Sequence, residues 1–124
     1  MPWNYEVIDL NDAITRAMGR KELYKGWLDA FLKDESFVPV AEAFKNKDPE
    51  TARNALHKLK STAGNLSVMS VFRQAEALGV KIKESADFDS LDDDLKALSE
   101  SFYSAKKMHD DNISELLNYG ELSF

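Results

Sequence analysis

Apolar residues along this chain recur three and four positions apart, and no segment shows the strict alternation of a half-buried strand. A short first helix is expected from about Leu10 to Met18, with Asp9 as its N-cap and Gly19 ending it. In the stretch KELYKGWLDAFLKDESFVPVAEAFKNKD, the residues Leu23, Trp27, Phe31, Val40 and Phe44 recur at helical spacing. Pro39 interrupts that stretch, because proline suits a first turn and not a helix interior. The break is expected near Asp34 to Phe37 with Ser36 as the new N-cap, a bent continuous helix being the alternative.

Asp48-Pro49 is a start signal, an N-cap followed by proline at the first helical position, and it opens a third main helix reaching about Leu66. A further helix fits VMSVFRQAEALGVKIKE, with Val71, Ala75, Leu78 and Ile82 as its apolar stripe and Ser67 or Ser70 as its cap. After the turn SADFDS, the last helix is expected to start near Ser90 or Leu91. There Asp92, Asp93 and Asp94 complement the positive end of the helix dipole. Its stripe of Leu91, Leu95, Leu98, Phe102, Ala105, His109, Ile113 and Leu116 extends to about Asn118. Four substantial amphipathic helices with short connections imply an all-α, antiparallel four-helix bundle, with the short N-terminal helix covering one end.

At 124 residues the chain suits one domain, 1–124, and its five glycines and three prolines leave little scope for a linker. It has no cysteine, which removes disulfides and thiolate metal sites and suits a cytoplasmic location. The formal charge of -6 argues against nucleic acid as a partner. No stretch approaches the roughly 20 apolar residues of a membrane span, so a soluble protein is expected.

At about 100° per residue, Ala52, Leu56, Leu59, Ala63 and Leu66 share the buried face of the third main helix. His57 falls nearly opposite, with Arg53, Lys60, Ser61 and Gly64 beside it on a polar face cleared of bulk. Neutral imidazole offers a nitrogen lone pair near pH 7, so His57 is a candidate phosphoryl acceptor. Lys60, three residues on, lies within reach to offset charge on phosphoryl oxygens. An exposed histidine near a lysine is equally what any charged helix carries, and geometry alone does not separate these readings.

The run ALHKLKSTAGNLS resembles the signature of histidine-containing phosphotransfer (HPt) domains, a pattern like H-x-L-K-G-S-A-x-x-L-G on the second helix of a four-helix bundle. His57, Leu59, Lys60, Ala63 and Leu66 match it, and Thr62 replaces serine. VIDLNDAI, ELYKGWLDAFLKD and the long closing helix follow in the family's usual order, so the resemblance covers about residues 7–118. Ser61 and Ser67 stand where the pattern has glycines. Some relatives place a polar residue on the following helix to bond the histidine. Here that region reads EALGV, so Gly79 lacks the side chain, and Glu76 and Gln74 are left as candidates.

The resemblance implies a phosphocarrier without autonomous kinase activity. His57 would take a phosphoryl group from a receiver-domain aspartate and pass it to another receiver, with Lys60 stabilising its charge and Arg53, Ser61 and Gly64 on the docking face. It implies response-regulator receiver domains and an upstream hybrid histidine kinase as partners. Mg2+ would sit on the receiver, leaving this chain with no metal or cofactor of its own. The alternatives are a helical binding module that docks receivers or another regulator without being phosphorylated, and the phosphoacceptor piece of a chemotaxis-type kinase. His109 lies on an apolar stripe and is expected to be structural. Trp27, Phe31, Phe44, Phe72 and Phe102 are expected in the core, whereas Trp3 and the terminal YGELSF carry no assigned role.

Overall fold

The computed structural model describes residues 3–33, 36–84 and 87–119, and every regular element among them is helical. The first helix, α1, spans Leu10–Arg16. Asp9 caps it as expected, its side chain accepting from the Asp12 N–H at 3.1 Å. The helix stops at Arg16 because Met18 and Gly19 both adopt left-handed φ values, 57° and 81°, and the Gly19 N–H turns back to the Ile14 carbonyl at 2.9 Å. Glycine at this position avoids the steric penalty of a Cβ.

The expected break in the next segment separates α2, Lys21–Lys33, from α3, Val38–Lys45. Asp34 and Glu35 lie outside the described residues. Ser36 is not the cap: Phe37 occupies that position without a side-chain capping bond, and the Ser36 hydroxyl instead donates to the Phe31 carbonyl at 3.0 Å, stitching the end of α2 to the start of α3. The rotation of α2 also differs from the expected stripe. Tyr24, Leu28, Phe31 and Leu32 are buried, whereas Leu23 and Trp27 remain 41% and 48% exposed. Two overlapping apolar stripes compete on this helix. Burial of the Tyr24 stripe brings its hydroxyl to the Leu66 carbonyl at 2.5 Å and leaves Leu23 and Trp27 on the flank.

The third main helix, α4, is Pro49–Asn65, capped by Asp48. Asp48 accepts from the Thr51 N–H at 3.2 Å and the Thr51 hydroxyl at 2.7 Å. Ala52, Leu56, Leu59 and Ala63 are its buried stripe. The next, α5, spans Met69–Glu84 and buries Val71, Ala75, Leu78 and Ile82. Neither expected serine caps it: Ser67 donates to Asp12 at 2.7 Å, and Ser70 already lies within the first turn.

The closing segment opens with a 3-10 turn, Phe88–Leu91, and continues as α6, Asp92–Asp111, with the three aspartates in its first turn. It does not run unbroken to Asn118. At Asn112 the side chain donates to the Met108 carbonyl at 2.8 Å and the backbone N–H to the His109 carbonyl at 3.2 Å, which ends α6 before the short α7, Ile113–Leu117. Within the bundle α4 packs between α3 and α5, α5 packs on α6, and α6 and α7 pack on α2. Phe102, fully buried on α6, centres the core, with Phe31 at 5.5 Å and Phe37 at 6.2 Å between ring centroids. Phe44 is buried as expected, Phe72 is half-buried, and Trp27 is the exception already noted.

Candidate functional site

The α4 core stripe turns the opposite face outward, and His57 is exposed there. Arg53, His57 and Lys60 line one open groove between α4 and α5, about 790 Å³ in volume. The opposing wall comes from α5 and includes Glu76, Gly79, Val80 and Lys83. The structure therefore gathers three of the five sequence-derived residues around one space. Ser61 and Gly64 do not line it. Ser61 is exposed further along α4, and Gly64 is half-buried.

Gly64 has a specific neighbour. A Cβ built on it would lie 3.8 Å from the Phe72 ring, an ordinary van der Waals contact, so the interior does not demand glycine here.

Lys60 Nζ lies 3.9 Å from Glu76 Oε2 across the groove, with side-chain exposures of 32% and 55%. Of the two α5 candidates for a bond to His57, Glu76 is the one beside the groove, and the contact the structure gives it is to Lys60. Glu76 lines the groove, whereas Gln74 is half-buried and borders a different surface depression, with Val7, Ser70, Ala97, Glu100, Ser101 and Ser104. Among the described residues no cluster of three or more His, Cys, Asp or Glu is placed to hold a metal ion.

The turn that joins the two groove helices is anchored from outside. Ser67, fully buried, adopts a left-handed φ of 61°, the conformation glycine adopts freely. That accounts for a glycine at this position in the HPt pattern. Here the strain is offset by bonding: Ser67 Oγ donates to Asp12 Oδ2 at 2.7 Å, and its carbonyl accepts the Asp9 N–H at 2.9 Å. The Ser67 hydrogen bond, followed by that of Arg16, holds the Asp12 carboxyl below its usual range. Burial, then the nearby Asp12 and Asp9 charges, push the Tyr24 phenol in the same corner upward.

His109 plays no part in the groove. It is fully buried, with Nε2 2.7 Å from Asp29 Oδ1, and its ring meets Trp3 edge-on at 6.0 Å. Burial raises the Asp29 pKa, but hydrogen bonds from Lys25 and His109, together with their charges, more than reverse that and leave it lowered. Trp3, which the sequence left without a role, is buried and donates from Nε1 to the Ile8 carbonyl at 3.0 Å.

No protein-family model matches the sequence, and no curated protein matches it. Among solved structures, the chain is similar to the HPT domain from the Hpt sensor hybrid histidine kinase of Shewanella, with a TM-score of 0.63 and 17% identity. That match covers 87% of this chain and 97% of the other. The fold is thus HPt-like, a helical bundle of the architecture expected from the helix pattern. No helix among the described residues is long and apolar enough to cross a membrane.

Proposed function

We propose that this chain is a phosphocarrier of a multistep relay, accepting a phosphoryl group on His57 from a receiver aspartate and delivering it to another. The observation that carries this reading is the exposed imidazole of His57 in an open groove with Lys60, on a central helix of an HPt-like bundle. The stripe that buries α4 keeps the acceptor outward, so a receiver reaches the ring without any opening of the core.

A lone pair on one ring nitrogen forms the N–P bond as the aspartyl O–P bond breaks and the carboxylate leaves with its electron pair. The proton on the other ring nitrogen is not needed for the displacement. Lys60 supplies positive charge near the phosphoryl oxygens, and such positioning and charge stabilisation are most of what phosphoryl transfer asks of a protein. The receiver would bring the aspartate and Mg2+, and the phosphoryl group would originate at a hybrid histidine kinase upstream. Arg53 and Ser61 are exposed on α4 and Gly64 is half-buried beyond them; these three would meet the receiver. A soluble cytoplasmic location suits such a relay.

The test incubates the chain with a phosphorylated receiver and compares it with His57→Gln. The expected result is an acid-labile, base-stable phosphate on the unmodified chain and none on the variant. Label on His57→Gln, or none on the unmodified chain with any receiver from its source, removes the acceptor assignment. In the second case a binding module without phosphoryl chemistry takes its place.

A further inference from the structure

Glu76 faces Lys60 across the groove at 3.9 Å, and both side chains are partly in water. An ion pair of that length and exposure contributes little by itself and is easily exchanged. One turn along α5, Gly79 lines the same groove with nothing within 4 Å of a Cβ built on it. The α5 wall therefore presents the Glu76 carboxylate and open space at Gly79, with Val80, Lys81, Lys83 and Glu84 further along. A phosphoryl group carries nearly two negative charges, so it competes directly with Glu76 for the Lys60 ammonium.

We propose that Glu76 is a positioning residue that engages Lys60 in the resting state and loses it to the phosphoryl group, thereby setting how readily that group is passed on. The inference rests on the reading of His57 as the acceptor. In the step itself the N–P bond forms and the aspartyl O–P bond breaks as described above. Lys60 changes only its partner. Glu76 is left without Lys60 and faces a group of like charge. Both effects disfavour the phosphorylated state relative to a groove without the carboxylate, and so favour onward transfer.

The experiment uses the full chain and a receiver charged with acetyl phosphate. It measures the equilibrium fraction of label on the chain and the rate of its return to dephosphorylated receiver, for the unmodified protein, Glu76→Gln, Glu76→Asp, Lys60→Ala and Glu76→Gln with Lys60→Ala. Glu76→Gln should raise the equilibrium constant for phosphorylation about three- to fivefold, the range expected for a half-exposed charge, and slow the return transfer. Glu76→Asp should restore the original balance in part. With Lys60 absent, the effect of Glu76→Gln should shrink, because only like-charge repulsion then remains. A change of less than twofold in Glu76→Gln, or one of the same size without Lys60, overturns the proposal while leaving the acceptor assignment standing. Absence of label on the unmodified chain overturns both, and the two failures are thereby told apart.

Discussion

Replacing Ser67 separates backbone strain from hydrogen bonding at the turn between α4 and α5. A non-glycine residue in the left-handed region costs roughly 1–2 kcal/mol, and Ser67 sits there at φ 61°. A hydrogen bond to a charged group contributes about 1.5–3 kcal/mol. The Asp12 side chain is 43% exposed and also paired with Arg16, which places the Ser67 bond near the low end of that range, about 1.5 kcal/mol. Ser67→Ala loses the bond and keeps the strain, so it should destabilise by about 1.5 kcal/mol. Ser67→Gly loses the same bond but regains about 1 kcal/mol from the backbone. Glycine should therefore be the milder change by about 1 kcal/mol, or about 4 °C in Tm for a chain of this size.

The pH dependence adds an independent check. Asp12 has a lowered folded pKa, so its contribution is fully present above the unfolded value near 3.9 and is lost as pH falls through the folded value. In urea titrations the gap between the unmodified chain and Ser67→Ala should narrow as pH falls below about 4, while the gap between alanine and glycine persists because it is a backbone effect. A glycine variant less stable than the alanine variant would refute the strain argument. A Ser67→Ala gap that ignores pH would refute the role given to Asp12.

Two further outcomes are expected. Asp29→Ala leaves buried His109 without its 2.7 Å partner and should cost about 2–3 kcal/mol in denaturant unfolding; a loss below about 1 kcal/mol would show that the pair carries little net stabilisation. Gly64→Ala should stabilise α4 by about 0.5–1 kcal/mol, because its new Cβ meets Phe72 at an ordinary 3.8 Å. A lower Tm would mean that the Phe72 ring does not accept the contact.

The helix pattern was readable wherever one stripe dominated. Val71, Ala75, Leu78 and Ile82 on α5 are all buried as their spacing implied, and Asp48-Pro49 starts α4 as its capping chemistry required. On α2 the periodicity was ambiguous, since Leu23 and Trp27 satisfied it as well as Tyr24 and Leu28. The buried stripe is the one whose Tyr24 hydroxyl reaches Leu66, 42 positions away, a contact that no local pattern carries. Ser67 failed as an expected cap for a related reason: its hydroxyl is claimed by Asp12, 55 positions earlier. At the site, the outward placement of His57 and the nearness of Lys60 followed from spacing on one helix. The sequence left Glu76 and Gln74 as candidates to bond His57; that Glu76 faces Lys60 depends on how α5 lies against α4.

The groove takes Arg53, His57 and Lys60 from α4 and Glu76, Gly79 and Lys83 from α5, helices joined by a turn of only a few residues. Bringing its walls together closes a short loop and incurs little closure entropy. The pair of buried His109 with half-buried Asp29 instead joins positions 80 apart, and it ties the closing helix to the second. Assembly of the chemistry and fastening of the bundle thus draw on contacts of very different sequence range. A substitution that weakens the distant clasp can lower global stability while the short-range hairpin retains the shape of the groove.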